Sequence, residues 1–582
     1  MMKNPNNMKK NTILLLLAVL AFPACNDLLD LRSNGTITMD EVFTDRNRTR
    51  GYLDGCYSYR YDITVNAGSY TDDAQNSYDN TSGSYYDYWY NQGLTSSNFG
   101  AHNLDGNPWT RFFQGVRKCN VFLANIDGST AKMSDSERAG WKAQALTLRA
   151  YYYLQLVKRY GRIPLILEDL GTTHDFSADT KATVGAVITR ILADCDAALS
   201  VPDSDDYSYT VRDNQWGIMT KAVAQAVRSE AAVYAVSPLL DDDTFTKEQA
   251  LGIAADALAQ CLGHDYSLWT EASDGYSAYA SYFLYNPNDL RAKDKETIYG
   301  GTRVAVWSGD GLPIVGGMST AGSCPTQDLV DAYEMANGQV AITGYNDADH
   351  LQPKVNPASG YSESDPYKDR DPRFYATVFY NGSRRGADVV NTFVGGNCGL
   401  NATNIRYTHT GYYMRKYAHD KSNRNSNSDG YKRAIRLPEL YFNFAELAYQ
   451  VNGADAKVTA SGLNLSAREA VNVVRARAGM PDLPAGLSAS DFEARYRNER
   501  RIEFAMEADR YFCLRRWKIL GEKTGFVTGM RITMEGGNPV YTRFRFEDRK
   551  SGADKYLLYP IDLSEERKTQ TLTGTSWQNP GW

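Results

Sequence analysis

Along much of this chain apolar residues recur with the 3.6-residue period of a helix. In 111–127, "RFFQGVRKCNVFLANID", Phe112, Val116, Cys119, Leu123 and Ile126 fall at steps of four, three, four and three, which predicts one buried stripe. A longer helix is predicted over 135–161, ended by Gly161 with Pro164 just beyond. A second pair is predicted at about 183–199 and 216–236, and a further helix at about 247–262. Far downstream, Leu437, Leu440, Phe444, Leu447 and Val451 form another stripe. "SAREAVNVVRARAGMP" then opens with Ser466 and Glu469 at capping-box spacing and stops at Gly479 and Pro481. One continuous last helix is predicted from Asp491 to about Ile519. Helix pairs recurring in this way point to a tetratricopeptide-like (TPR-like) scaffold, although no 34-residue consensus repeat is present.

The helical blocks, mainly about 110–265 and 435–520, are separated by irregular parts at about 60–110 and 265–435. Connections of that length are usually either functional or disordered. The first of them holds "SYYDYWYNQG" (84–93), with Tyr85, Tyr86, Tyr88, Trp89 and Tyr90 in six positions. The run fits neither the alternation of a strand nor a core-helix stripe. Tyr outnumbers Phe in the chain by 41 to 20, and a ring that carries a hydroxyl suits a wet surface better than a dry core.

The N-terminus reads as a secretory leader over residues 1–24. Lys3, Lys9 and Lys10 precede an apolar run from Ile13 to Ala24 that is too short to span a bilayer. Ala24 followed by Cys25 resembles a lipoprotein signal, in which the cysteine is acylated; Phe22 and Pro23 depart from its usual small aliphatic pair. Ordinary cleavage near Ala24 is the alternative. No other segment approaches membrane-spanning length, so attachment is expected through lipid alone.

Charge and motifs then exclude several classes. A net charge of −6 gives no reason to expect nucleic acid as a partner. The seven other cysteines are scattered without a C-x-x-C pair and read mostly as packing residues. No two of the six histidines lie within eight residues of each other, and H-E-x-x-H and G-x-S-x-G are absent. "GDGLPIVGG" has Ile314 where a dinucleotide fingerprint needs its third glycine, and "YNDADH" (345–350) lacks the glycine and final glutamate of a calcium loop. Asp72–Asp73 and Asp241–Asp243 could mimic a glycosidase pair, but only their separation in space could decide that. No catalytic residue, metal or cofactor is therefore expected.

Five blocks in order resemble the RagB/SusD family of outer-membrane nutrient-binding lipoproteins. They are "LTLRAYYYLQLVKRYGRIPLI" (146–166), "PTQDLVDAYEMANG" (325–338) with "RDPRFYATV" (370–378), "RLPELYFNFAELAYQVNG" (436–453), "ERRIEFAMEADRYFCLRRW" (499–517), and "LLYPID" (557–562) with the terminal "QNPGW". In the fourth block Ala508 replaces the usual glycine and Cys513 the usual aspartate. The resemblance implies one mainly α domain over 25–582, with TPR-like helix pairs, little β structure and a ligand site in the irregular part. It also implies a non-enzymatic protein at the cell surface that caps a TonB-dependent, SusC-like transporter barrel and hands it glycans or, in some members, peptides. Arg149, Glu499, Arg500, Arg501, Glu503, Arg510 and Arg516 of these blocks read as structural ion pairs on shared helix faces rather than as a catalytic cluster.

Aromatic faces pack against the C–H patches of sugar rings, while Asn and Asp meet their hydroxyls. Trp89 is the leading candidate for such a ligand platform, followed by Tyr88, Tyr90 and Tyr86, and by Trp307 in "VAVWSGDG". Two other readings stay open: rings that pad the loop against the scaffold, and rings that touch the transporter. Capture of an oligosaccharide leads, peptide capture follows, and a glycoside hydrolase is the remote alternative.

Overall fold

The computed structural model describes residues 37–582 except 61–64, 80–82, 104, 172, 211–216, 274, 285–292, 307–310, 315–319, 419 and 421–427. Cys25, the leader and Trp307 lie outside the described residues.

The predicted helices form a continuous stack. After α1 (Arg46–Cys56) and the short α2 (Tyr85–Tyr90), the stack begins with α3 (Pro108–Ile126) and α4 (Asp135–Tyr160). It continues through α5 (Val184–Leu199), α6 (Lys221–Ala235) and α7 (Lys247–Gly263), each packed on the one before. Side chains set the boundaries. Asn107 caps α3 with Pro108 in its first turn, Thr183 and Thr220 cap α5 and α6, and Thr246 closes a capping box with Gln249 on α7. Close packing of α3 on α4 depends on Gly115, where an added Cβ would lie 2.6 Å from the Tyr152 ring.

Beyond α7 the chain leaves the stack for the long irregular part, and it returns as α8 (Leu437–Asn452). That helix packs on both α7 and α6, so the partner of α7 comes from far downstream in sequence. Helix α9 (Ala467–Arg477) follows, opened by the predicted Ser466–Glu469 capping box. Apolar positions of these helices merge into one large core that extends to Trp577. A smaller core under the irregular part gathers Leu329, Tyr333, Phe374, Met530 and Ile532.

The strands of the described residues occur in antiparallel pairs only. The longest are β1 (Thr297–Val306) with β2 (Ser428–Arg436), and the hairpin of β3 (Phe526–Glu535) and β4 (Asn538–Asp548). The fold is thus mainly α, with small sheets confined to the connections.

Two sequence expectations are corrected. The last helix is not continuous: α10 (Ala489–Glu503) ends, Met506 and Ala508 take left-handed backbone (φ 65° and 75°), and α11 (Asp509–Arg516) starts afresh. The aromatic run, which showed no core-helix stripe, is itself a helix: α2, capped by the Ser84 hydroxyl, which accepts a hydrogen bond from the Asp87 amide.

Candidate functional site

Helical geometry divides the aromatic run into two faces. Tyr86, Trp89 and Tyr90 stand at i, i+3 and i+4 and point inward, whereas Tyr85 and Tyr88, at i and i+3, point outward. Trp89 is only 1% exposed and packs on Tyr70 and Tyr556, each with a ring centroid 4.9 Å away, with the Arg515 guanidinium over its own ring. Tyr90 is fully buried; its hydroxyl donates to the Ser69 carbonyl at 2.7 Å, and Arg549 lies over its ring. Tyr86 packs on Tyr70 and Tyr90. These three rings pad the turn against the core, and in this structure none offers a face to a ligand. Burial of the inner face is what lets so short a helix persist.

The outer face has a different character. Tyr88 is half-buried and stacks on His102 at 3.9 Å with an 18° interplanar angle, and Tyr85 is 50% exposed beside the same imidazole. Asp87 and Asn91 lie on this side one helical turn apart, with the Asn91 amide donating to the Asp87 carboxylate at 2.8 Å. Tyr78, also exposed, precedes the helix, and its carbonyl accepts from the Ser84 hydroxyl. The result is a shallow surface of rings, carboxylate and amide. The sequence pattern places Trp89 above Tyr88 and does not single out Tyr85, Tyr78 or His102 as ligand contacts. The Ser84 cap was the local signal for the start of this helix, whereas which face turns inward is set by packing against the core.

The charged blocks resolve into buried clamps. Arg510 grips Asp72 with two hydrogen bonds of 2.9 and 2.7 Å, and Arg501 takes Asp73 at 2.7 Å. The Asp72–Asp73 pair is therefore consumed by arginines. Burial pushes the Asp72 carboxyl up, but Arg501 and Arg510 outweigh it and hold the group below its ordinary value. Asp242 of the other acidic run accepts the Gly185 amide at 2.7 Å. Arg149 holds Asp194 bidentately, Arg516 holds Glu446, and Arg500 reaches Asp509 at 2.7 Å. Glu503 is ringed by Arg477, Arg436 and Arg373, which overcome its burial and bring its carboxyl down to about 2. The structural reading of these charges holds, but their partners come mainly from other elements rather than from neighbouring helix turns.

The seven described cysteines are all buried and free, and no helix among the described residues is long and apolar enough to cross a membrane.

The architecture has solved counterparts. A SusD-like protein from Bacteroides fragilis is 23% identical and superposes with a TM-score of 0.74 over 94% of this chain and 99% of its own. Surface glycan-binding protein A from Bacteroides fluxus is 19% identical (TM-score 0.58; 93% and 100% covered). A laminarin-binding SusD-like protein is 20% identical (TM-score 0.55; 93% and 100% covered). No curated protein matches the chain by sequence. Residues 36–225 match a family model described as starch-binding and associating with the outer membrane, and residues 285–582, more than half of the chain, match that of the SusD family. With the fold, the order of its sequence blocks and the family model in agreement, this chain belongs to the SusD family.

Proposed function

We propose that the protein is a cell-surface lipoprotein, anchored through acylated Cys25, that captures an oligosaccharide and delivers it to a TonB-dependent outer-membrane transporter without chemically altering it. The observation that carries the reading is the outward face of α2. Tyr85, Tyr88 and His102 offer ring surface, and Asp87 and Asn91 offer hydrogen-bonding groups within the same small area. The printed names of two structural counterparts, glycan-binding and laminarin-binding, support the ligand class. The family model's association with the outer membrane supports the location. Engagement of the acids considered for catalysis by arginines or backbone amides supports a binding role.

A glycan-array screen of the chain without residues 1–24 identifies the ligand, and calorimetry with that glycan tests the site. Tyr85→Ala is expected to weaken binding by about 0.5–1.5 kcal/mol or more, the value of one ring contact, while the melting temperature stays near that of the wild type, because Tyr85 is half exposed. Unchanged affinity in a Tyr85→Ala, Tyr88→Ala double variant removes this face as the site. Accumulation of shorter oligosaccharides during incubation overturns the non-enzymatic assignment.

A further inference from the structure

We propose that a groove between α3, the 164–179 connection and α12 (Leu563–Thr573) docks an apolar peptide segment flanked by basic residues. The groove encloses about 640 Å³, within the range of true ligand clefts, and shares no residue with the outward face of α2. Val116, Pro164 and Ile166 supply aliphatic lining, and Phe113, Phe176 and Leu572 add larger apolar surface. Phe176 (37%) and Leu572 (50%), both lining the groove, are among the few large apolar side chains left exposed. Exposed apolar side chains are ordinary when scattered; two facing one groove mark a contact surface.

Charge selects the occupant. The lining carries four acids, Glu168, Asp169, Asp179 and Glu565, against two bases, Arg117 and Lys568. Both bases are already neutralised, Arg117 by Asp169 at 2.9 Å and Lys568 by Glu565 at 2.7 Å. The His174 imidazole lies 3.0 Å from Asp179. The Glu168 carboxylate has no hydrogen-bond or ion partner among the described residues. An incoming cationic side chain would meet an uncompensated acid at the rim and hydrocarbon within. Apolar anchors with basic flanks, in an amphipathic helix or an extended strand, match both features. This inference is independent of the oligosaccharide site.

Fluorescence anisotropy on the chain without residues 1–24 tests it, with a labelled leucine/lysine peptide of about twelve residues and a matched leucine/glutamate peptide as probes. The lysine peptide is expected to bind about tenfold more tightly than the glutamate peptide, and less tightly as salt rises. Phe176→Gln with Leu572→Gln is expected to weaken it about tenfold or more, through loss of two apolar contacts. Glu168→Lys is expected to weaken it about threefold. Val394→Gln with Met534→Gln, which alters equally exposed apolar residues elsewhere, is expected to leave binding unchanged. Equal binding of the two peptides, no binding of either, equal losses in groove and control variants, or displacement by oligosaccharide overturns the proposal. Melting curves confirm that each variant is folded.

Discussion

Tyr88 and Trp89 are neighbours in sequence and have opposite environments, because one residue advances a helix by about 100°. Trp89→Ala is therefore expected to cost about 3–5 kcal/mol of stability, the penalty for emptying a buried aromatic site. Urea denaturation followed by circular dichroism measures this, and a loss below about 1 kcal/mol would contradict the packing role. Ala508 makes a second prediction at this scale. It stands where the family resemblance calls for glycine and holds φ at 75°, in the left-handed region that a Cβ disfavours. Relief of about 1–2 kcal/mol of backbone strain, less about 0.4–1 kcal/mol of added unfolded-chain entropy, gives Ala508→Gly a net gain of roughly 0.5–1 kcal/mol. A rise in urea midpoint shows it; a fall would mean that the alanine methyl has a packing role larger than the strain. The departure from glycine was legible in the sequence. The orientation of the aromatic rings was not, because six residues are too short a window to display a helical stripe.

Most helices were legible as elements, since their stripes, caps and glycine stops are local signals. The break between α10 and α11 was not. Its residues include good helix formers, and no proline interrupts them. The break is stabilised from outside: the Glu503 carbonyl accepts from the Tyr279 hydroxyl and the Lys416 ammonium, and the Ala505 carbonyl accepts from Lys416 at 3.0 Å. Groups that would otherwise continue the helical ladder are satisfied by side chains from the irregular part. Another interaction between elements makes a pH prediction. In the first turn of α8, burial and the nearby Glu230 of α6 push the Glu439 carboxyl from 4.5 up to about 8, with Asp509 acting in the same direction and Arg500 and Lys158 opposing. A carboxyl raised by folding supports the fold fully below its unfolded value and loses that support as pH climbs through the folded one. Glu439→Gln should accordingly melt close to the wild type near pH 4.5 and progressively above it toward about pH 8. Melting curves across that window check the prediction, and a constant offset would show that Glu439 does not titrate there.

At the scale of the molecule, the proposed anchor is testable apart from the fold. Cys25→Ala is expected to move the protein from the detergent to the aqueous phase in a partitioning assay while its melting curve stays the same, since a lipid on the tether adds no core contact. Wild-type protein found wholly in the aqueous phase would refute the lipoprotein assignment. The clamps show how the helical stack and the irregular part are joined: Arg510 and Asp72 meet across 438 positions of sequence, and Arg501 and Asp73 across 428. Asp72 is shared, with Arg501 also within 3.2 Å of it, so loss of one of these buried carboxylates would leave arginine charge under-compensated in the interior. By itself, the sequence determined the helices, their caps and their order along the chain, and its ordered blocks pointed to the family. Each of these signals lies within a few turns of helix or in short contiguous motifs. Only the tertiary structure decided which rings of the aromatic run face outward, which acid each arginine holds, and where the last helix breaks. Those outcomes depend on burial and on partners brought together from distant parts of the chain, which no local window contains.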